Sequence, residues 1–222
     1  MAKEFIPRLG ILPPPQRQLW PLLKDTPGYF TLYGGTAIAL RLGHRQSVDF
    51  DFFSNQPFDP GVLLRTIPYL KQATVLQLEQ NSLTCRVNFQ GTVQLSYFGD
   101  LSLKKVAQPE IAEGPQIKVA ALIDLAATKA DVVQKRAQIK DYQDIDALIK
   151  AGISLGQALR AAQMIYGPQF NPQITLKALS YYGDEQLKNL SPLIRKNLEQ
   201  AVRQVDLDHL PPLSSFDGPS QR

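Results

Sequence analysis

The most constraining feature of this chain is the stretch of residues 29–54, YFTLYGGTAIALRLGHRQSVDFDFFS. It predicts a strand, a glycine turn, a short helix and a second strand. The run from Phe30 to Tyr33 is β-prone. Gly34-Gly35 then interrupts it, because paired glycines allow backbone angles that other residues resist.

The short helix has start and stop signals of its own. Thr36 is expected to cap a helix over Ala37–Leu42 through its hydroxyl. Gly43 stands where a helix commonly ends. The chain therefore turns back after about two helical turns and enters the second strand.

The second strand places two carboxylates on one face. In the run VDFDFF the apolar Val48, Phe50 and Phe52 alternate with Asp49 and Asp51, so the two acids share a side of the strand. Their spacing is roughly 6–7 Å by strand rise. Two like charges at that distance repel by about 2–3 kcal/mol at an effective dielectric near 20. A divalent cation with oxygen ligands, Mg²⁺ or Mn²⁺, is the natural partner for the pair.

The glycine-led helix start supplies the complementary half of a site. Backbone N–H groups at a helix N-terminus bind anions such as phosphate, so Gly34, Gly35 and Thr36 are expected to cradle a nucleoside triphosphate. Arg45, in the following loop, is a further candidate for a phosphate contact. A glycine pair alone is usually only a turn, and Asp-x-Asp alone is usually a solvated strand face. Their combination favours a metal-dependent nucleotide-transfer site.

The same block carries a family resemblance. The segment GGTAIALRLGHRQSVDFDFF resembles the first motif of the AbiEii/AbiGii toxin family of nucleotidyltransferases, which belongs to the polymerase-β-like superfamily. The resemblance extends from about Tyr29 to Lys150 and more loosely toward the C-terminus. It implies an Mg²⁺-dependent enzyme that acts as the toxin of a bacterial toxin–antitoxin or phage-defence pair. An RNA acceptor, in particular tRNA, and a cognate antitoxin protein are the implied partners.

A second group of residues resembles the family's later motifs, in which a helical lysine is followed by a Lys-Asp-Tyr-x-Asp-type sequence. Here these are Lys129 and Lys140-Asp141, with Asp144 one turn further on. The resemblance implies that Lys129 contacts nucleotide phosphates and that Asp141 acts in the chemistry or in site organisation. The alternatives, a surface lysine and an ordinary helix-start acid, stay open at this point.

The chain departs from the superfamily pattern in one respect. Enzymes of this kind use a third carboxylate from a strand after the Asp-x-Asp strand, and the corresponding segment Val93–Phe98 contains no acid. Ser96 is expected at that place, with Asp100 just past the strand end and Glu79 as an earlier possibility. Two carboxylates can hold one ion when water and phosphate complete its shell.

The pattern changes from mixed to helical along the chain. The predicted fold is α+β, with a nucleotidyltransferase-type mixed β-sheet and flanking helices followed by a C-terminal helical bundle. The predicted domains are 1–112 and 113–222. Further expected strands are 74–79, 83–89 and 92–98. Further expected helices are 16–24, 61–70, 154–166, 173–182 and 187–205, one starting near Ile117 and one near Lys140, before a tail from Asp206.

Composition excludes several other classes of protein. No apolar run approaches the roughly 20 residues of a membrane helix, and the N-terminus lacks the apolar core of a signal peptide, so a cytoplasmic location without membrane contact is expected. His44 and His209 are too distant in sequence to suggest a zinc site. Cys85 cannot form an internal disulfide and reads as a small core residue on a strand. A net charge of +4 permits a nucleic-acid partner without requiring one.

Three functional hypotheses follow. The leading one is nucleotide transfer from a triphosphate to an acceptor hydroxyl, with Asp49, Asp51 and Asp141 as the catalytic residues. The second is a nucleotide- or protein-binding module of the same fold, motivated by the missing third acid. The third is transfer to a small molecule such as an antibiotic.

Overall fold

The computed structural model describes residues 3–213. Of the predicted tail, residues 206–213 are irregular, and residues 214–222 lie outside the described part of the chain. The chain forms two compact units and passes between them more than once. Among the described residues, the first contains 3–103 together with Pro109–Ala120, and the second contains Lys104–Gln108 and 121–213.

An eight-stranded mixed sheet organises the first unit within residues 3–213. Its strands are β1 (Glu4–Phe5), β2 (Thr31–Tyr33), β3 (Asp49–Phe53), β4 (Thr74–Glu79), β5 (Ser82–Asn88), β6 (Thr92–Phe98), β7 (Glu110–Ala112) and β8 (Lys118–Val119). The spatial order is β1-β7-β8-β2-β3-β6-β5-β4. The central strand β3 runs antiparallel to β2 and parallel to β6.

One face of this sheet is sealed by apolar side chains. Phe50 and Phe52 of β3 are fully buried, as are Leu95 and Tyr97 of β6. The ring of Trp20 packs 6.4 Å from that of Phe50. Because side chains alternate along a strand, the acids between these aromatic residues must face the other side.

Helices flank the sheet and make up most of the second unit. The first unit contains α1 (Pro14–Leu19), α2 (Gly34–Leu42) and α3 (Pro60–Thr66). The second contains α4 (Leu122–Lys135), α5 (Ile139–Lys150), α6 (Leu155–Tyr166), α7 (Pro172–Ala178) and α8 (Pro192–Arg203). The predicted α+β class, with a mixed sheet followed by helices, is confirmed. Within residues 3–213, no helix combines the length and the apolar character that crossing a membrane requires.

Several predicted boundaries were wrong, and proline or strand pairing explains most of them. The segment Lys118–Val119 does not begin a helix; it pairs with β2, and α4 starts at Leu122. The helix expected over 61–70 ends at Thr66, before a 3₁₀ turn that begins at Pro68. The last helix begins at Pro192, a residue suited to the first helical position.

A buried carboxylate anchors the segment that enters the second unit. Asp124, in the first turn of α4, is 1% exposed and accepts hydrogen bonds from the backbone N–H groups of Val106 at 2.8 Å and Ala107 at 3.0 Å. Burial raises the pKa of Asp124, while these two N–H donors oppose that effect by stabilising the ionised form. Both carboxylate oxygens are therefore used to fix Lys104–Gln108 against α4.

We expect Asp124→Asn to lower the free energy of unfolding by about 1–3 kcal/mol, the cost of leaving a buried polar group badly paired. An amide offers only one acceptor oxygen, so its NH₂ would face one of the two backbone donors. Urea unfolding followed by circular dichroism measures the change. Glu185→Gln, on an exposed side chain, is the control. Equal stability of the two variants would contradict the anchoring role.

Candidate active site

The turn from β2 into α2 brings a carboxylate against a helix start. Gly34 has φ +74°, a conformation that favours glycine. A β-carbon at Gly34 would lie 2.7 Å from Oδ2 of Asp51. Glycine is therefore needed at position 34 for two reasons: it tolerates the positive φ, and its missing β-carbon leaves the space that Asp51 occupies.

The prediction that Thr36 caps the helix was wrong. Helix α2 begins at Gly34 rather than Ala37, and its N-cap, Tyr33, makes no side-chain capping bond. The buried hydroxyl of Thr36 instead donates to the backbone carbonyl of Asp49 and lies 2.8 Å from Oγ of Ser47. Thr36 thus ties the helix to the start of β3, and only its backbone N–H can belong to an anion cradle. The prediction that the helix ends at Gly43 is confirmed, since Gly43 adopts φ +68° there.

The helix start itself is accessible. Gly34 and Gly35 are both partly exposed. The first N–H groups of an α-helix lack partners within the helix, and the helix dipole adds partial positive charge at the same end. This end of α2 can therefore receive an anion next to the carboxylate of Asp51.

Asp49 and Asp51 share the face of β3 opposite the core, as predicted. Both are partly exposed, whereas Phe50 and Phe52 are fully buried. Tyr33 pairs with Asp51 in the sheet register, so Asp51 stands beside the residue that precedes the helix. Two carboxylates on adjacent outward positions, backed by an apolar layer, form a donor set suited to a hard divalent cation.

The neighbouring strand β6 supplies no acid. Gln94 pairs with Asp49 and Ser96 pairs with Asp51. Ser96 therefore occupies the place at which a third carboxylate was sought, and it is 5% exposed.

The two other candidate acids do not fill that place. Asp100 lies beyond the end of β6 and is exposed. Glu79 is on the edge strand β4, three strands from β3, and its row leads through Ser82 and Phe98 to Phe53 rather than to either aspartate. Across residues 3–213, no group of three or more His, Cys, Asp or Glu side chains gathers at a metal-binding distance.

Arg45 lies in the loop between α2 and β3. It is partly exposed, and its Nη1 donates to the carbonyl of Gln46 at 2.9 Å. This bond holds the side chain along its own loop. Phosphate binding by Arg45 stays a prediction.

The second unit brings Lys129 and Asp141 together. Nζ of Lys129 lies 2.6 Å from Oδ1 of Asp141 and 2.7 Å from Oδ2 of Asp144. Arg136 reaches Asp141 with Nε at 2.7 Å and Nη2 at 3.1 Å. Lys129 is 5% exposed, and both aspartates are fully buried. Lys129 is thus part of a buried ion network, and the alternative of a solvent-exposed surface lysine is excluded.

This network sets the protonation state of Asp141. Burial by itself raises the pKa of this carboxyl, but hydrogen bonds and charge from Arg136 and Lys129 outweigh it and bring the pKa below the ordinary value. A carboxylate with a lowered pKa is a weaker proton acceptor. The geometry therefore suits Asp141 to holding Lys129 and Arg136 in place.

Sequence reasoning missed Arg136 and gave Asp144 only a supporting role. A signal for Asp144 was present, because residues three apart on a helix share a face and Asp141 precedes it by one turn. No comparable signal existed for Arg136, which lies between two helices. Its bond to Asp141 depends on how the chain turns there.

Comparisons with known proteins identify the family and the fold. The sequence profile of the family described as nucleotidyl transferase AbiEii toxin, type IV toxin–antitoxin system, matches residues 22–217. An uncharacterised protein of Aquifex aeolicus, aq_aa25, is 30% identical over 158 residues, which span 70% of this chain and 74% of that protein.

Two solved structures share the fold. A candidate nucleotidyltransferase from H. pylori superposes with a TM-score of 0.56 at 18% identity, covering 85% of this chain and 91% of that one. MenT4, a nucleotidyltransferase toxin from Mycobacterium tuberculosis H37Rv, gives a TM-score of 0.58 at 16% identity, covering 87% and 83%. With the family profile matched over most of its length, the chain belongs to the AbiEii family of nucleotidyltransferase toxins of type IV toxin–antitoxin systems.

Proposed function

We propose that this nucleotidyltransferase moves a nucleoside monophosphate from a nucleoside triphosphate to the hydroxyl at an RNA end, in particular of tRNA. One observation carries the proposal. Oδ2 of Asp51 lies against the glycine-led start of α2, 2.7 Å from the position that a β-carbon on Gly34 would take. A cation site and an anion site therefore adjoin, as the transfer of a charged phosphate group requires.

Asp49 and Asp51 would hold Mg²⁺ or Mn²⁺. The fit rests on their two same-face carboxylates and on the glycine that leaves room for one of them. Such an ion, when bound, would offset the negative charge on the phosphate oxygens during transfer. With two protein carboxylates here, one ion is better supported than two.

The protein's own residues account for binding and orientation. The first N–H groups of α2, at Gly34, Gly35 and Thr36, hold the β- and γ-phosphates and steady the pyrophosphate as it leaves. Thr36 keeps α2 and β3 in register through its bond to the Asp49 carbonyl. The acceptor oxygen bonds to the α-phosphorus, the bond from that phosphorus to the bridging oxygen breaks, and the hydroxyl proton passes to solvent.

Phosphate binding is proposed for Arg45 and, separately, for Lys129. The ammonium of Lys129 already contacts two carboxylates, so it would bind phosphate by exchanging one of them. Asp141 is proposed as a positioning residue rather than the base, because its lowered pKa makes it a poor proton acceptor.

Partner and compartment follow from the same proposal. The family's description as a type IV toxin–antitoxin system supports a cognate antitoxin encoded with this protein. A role in phage defence is proposed on the same family grounds. A cytoplasmic location is proposed because triphosphates and tRNA are found there.

A second candidate function has one observation in its favour. The residues that pair with Asp49 and Asp51 on β6 are Gln94 and Ser96, neither of which carries the negative charge of a carboxylate. This would suit a module that binds nucleotide without transferring it. Transfer to a small molecule such as an antibiotic would use the same half-site.

The first experiment is incubation of the protein with Mg²⁺, each α-labelled nucleoside triphosphate and total bacterial RNA. We expect label in RNA. Asp49→Asn and Asp51→Asn should each reduce it by on the order of a thousandfold, the scale seen when charge stabilisation in a transition state is removed.

The matched control is Glu79→Gln, an exposed acid on the edge strand of the same sheet, which should retain full activity. Undiminished transfer by the Asp49/Asp51 double variant would refute the site assignment. Nucleotide binding without any labelled product would favour the binding module, and label on a small acceptor would favour the antibiotic-type reaction.

Gly34→Ala tests the contact that carries the proposal. The variant meets both the φ of +74° and the 2.7 Å clash with Asp51. We expect triphosphate affinity to fall at least tenfold and stability to fall by about 1–3 kcal/mol, the cost of a strained backbone. Isothermal titration with a non-hydrolysable triphosphate measures the affinity. Gly28→Ala, where a β-carbon has open space, should behave as the parent, and parental affinity in Gly34→Ala would refute the cradle.

Asp141→Asn tests the positioning role through its pH dependence. The folded pKa of Asp141 lies below the unfolded value, so its stabilisation is fully present above about pH 4 and is lost as the pH falls through the folded pKa. We expect the variant to lose about 3 kcal/mol at pH 7, as when a buried ion pair is broken. The deficit should shrink at lower pH.

Urea unfolding between pH 3 and 7 follows this deficit. Asp208→Asn, an exposed acid in the same unit, is the control. A deficit for Asp141→Asn that does not change with pH would contradict the ion-network account.

A further inference from the structure

The polar face of the sheet continues past the carboxylates onto β6 and β5. Gln94 pairs with Asp49 on one side and with Arg86 of β5 on the other. Side chains that pair across strands share a face, so Asp49, Gln94 and Arg86 form one row. Ser96 and Thr84 form the parallel row that starts at Asp51.

Arg86 is the charged member of this surface. Of the residues on this face of β5 and β6, the others are uncharged: Ser82, Thr84, Asn88, Thr92, Gln94, Ser96 and Phe98. Arg86 is exposed, and within residues 3–213 no hydrogen bond or ion pair engages its guanidinium. The other side of β5 is buried, with Leu83 and Cys85 at 0% exposure. The strand that carries Arg86 is therefore packed against the core.

The in-line geometry of phosphoryl transfer places the incoming acceptor over this surface. In phosphoryl transfer the attacking and leaving oxygens lie roughly in line on opposite sides of the phosphorus. Under the proposed function, pyrophosphate leaves toward the start of α2, which is on the β2 side of β3. The acceptor hydroxyl must then approach from the other side, across β6 and β5.

We propose that Arg86 binds a phosphate of the acceptor strand and so restricts the enzyme to phosphate-bearing acceptors such as an RNA end. This inference rests on the proposed function and names the substrate side of the same site. The α-carbons of Asp49 and Arg86 are two strand spacings apart, about 10 Å. Arg86 therefore contacts a backbone phosphate behind the terminal hydroxyl, outside the reacting centre.

The positive charge on this surface favours a polyanionic acceptor over a cationic one. A polyanionic strand gains from a fixed guanidinium, which can bind phosphate with two parallel hydrogen bonds. A cationic amino-sugar antibiotic would need carboxylates near Arg86, and the acid that the adjoining strand β4 adds to this face, Glu79, pairs with Ser82 at the other end of β5. The uncharged Gln94, Ser96 and Thr84 let the acceptor chain pass without repulsion.

The test compares Arg86→Gln with the parent in binding a labelled single-stranded RNA with a free 3′-hydroxyl, by fluorescence anisotropy at several salt concentrations. We expect the RNA affinity of Arg86→Gln to be about tenfold weaker at low salt. The salt slope, which is the slope of log affinity against log salt concentration, should be smaller in magnitude by about one, as for the loss of one phosphate contact. Affinity for a non-hydrolysable triphosphate should be unchanged. In transfer assays KM for RNA should rise more than kcat falls.

Two variants serve as controls. Arg86→Lys retains the charge and should keep most of the affinity and the whole salt slope. Arg65→Gln removes an exposed arginine on α3 of the same unit and should match the parent.

The outcomes separate this inference from the proposed function. If the salt slope of Arg86→Gln equals that of the parent, Arg86 does not bind an RNA phosphate, even if RNA is the acceptor. The same conclusion follows if the variant loses affinity for the triphosphate and not for RNA. Absence of RNA labelling by the parent would refute the proposed function, while the salt slope would still decide whether Arg86 binds RNA. Labelling of an amino-sugar antibiotic that Arg86→Gln leaves unchanged or faster would overturn both.

Discussion

The approach of the Asp51 carboxylate to the backbone of Gly34 is the constraint on which the candidate site depends. It requires a residue without a side chain at position 34, a left-handed turn there, and a helix that starts immediately after β2. Each requirement supports the others. The turn starts α2 directly after β2, and the missing β-carbon lets the Asp51 carboxylate approach the helix start. A phosphate and its counter-ion can then share one small volume.

The apolar back of the sheet holds this arrangement in place. Phe50 and Phe52 are fully buried, so a shift of β3 by one residue would bury both aspartates and expose both aromatic rings. The cost of that slip fixes which way Asp49 and Asp51 face. Thr36 adds a second restraint by bonding to the carbonyl of Asp49. Packing thus orients both aspartates, and the bond from Thr36 fixes the backbone at Asp49.

Much of this could be predicted from sequence, because local patterns determine it. Alternation placed Asp49 and Asp51 on one face, and Gly43 marked the end of α2. The short strands β1, β7 and β8 could not be predicted, since two or three residues carry no periodicity and their pairing partners lie far away in the chain. The true start of α2 was also missed, because Thr36 resembles a cap and its bond to Asp49 is a tertiary contact. The network around Lys129 depends in the same way on Arg136, whose position only the folded chain determines.

The order of the strands along the chain determines when those around the candidate site can pair during translation. Strand β2 lies between β3 and β8, and β8 is completed only at Val119, after the excursion of Lys104–Gln108 into the second unit. A nascent chain that has emerged only as far as Leu103 has both aspartates and both glycines but leaves one edge of β2 unpaired. The strand that leads into the glycine turn is paired on both sides only once Val119 has left the ribosome. For a toxin, this order delays assembly of the site during translation.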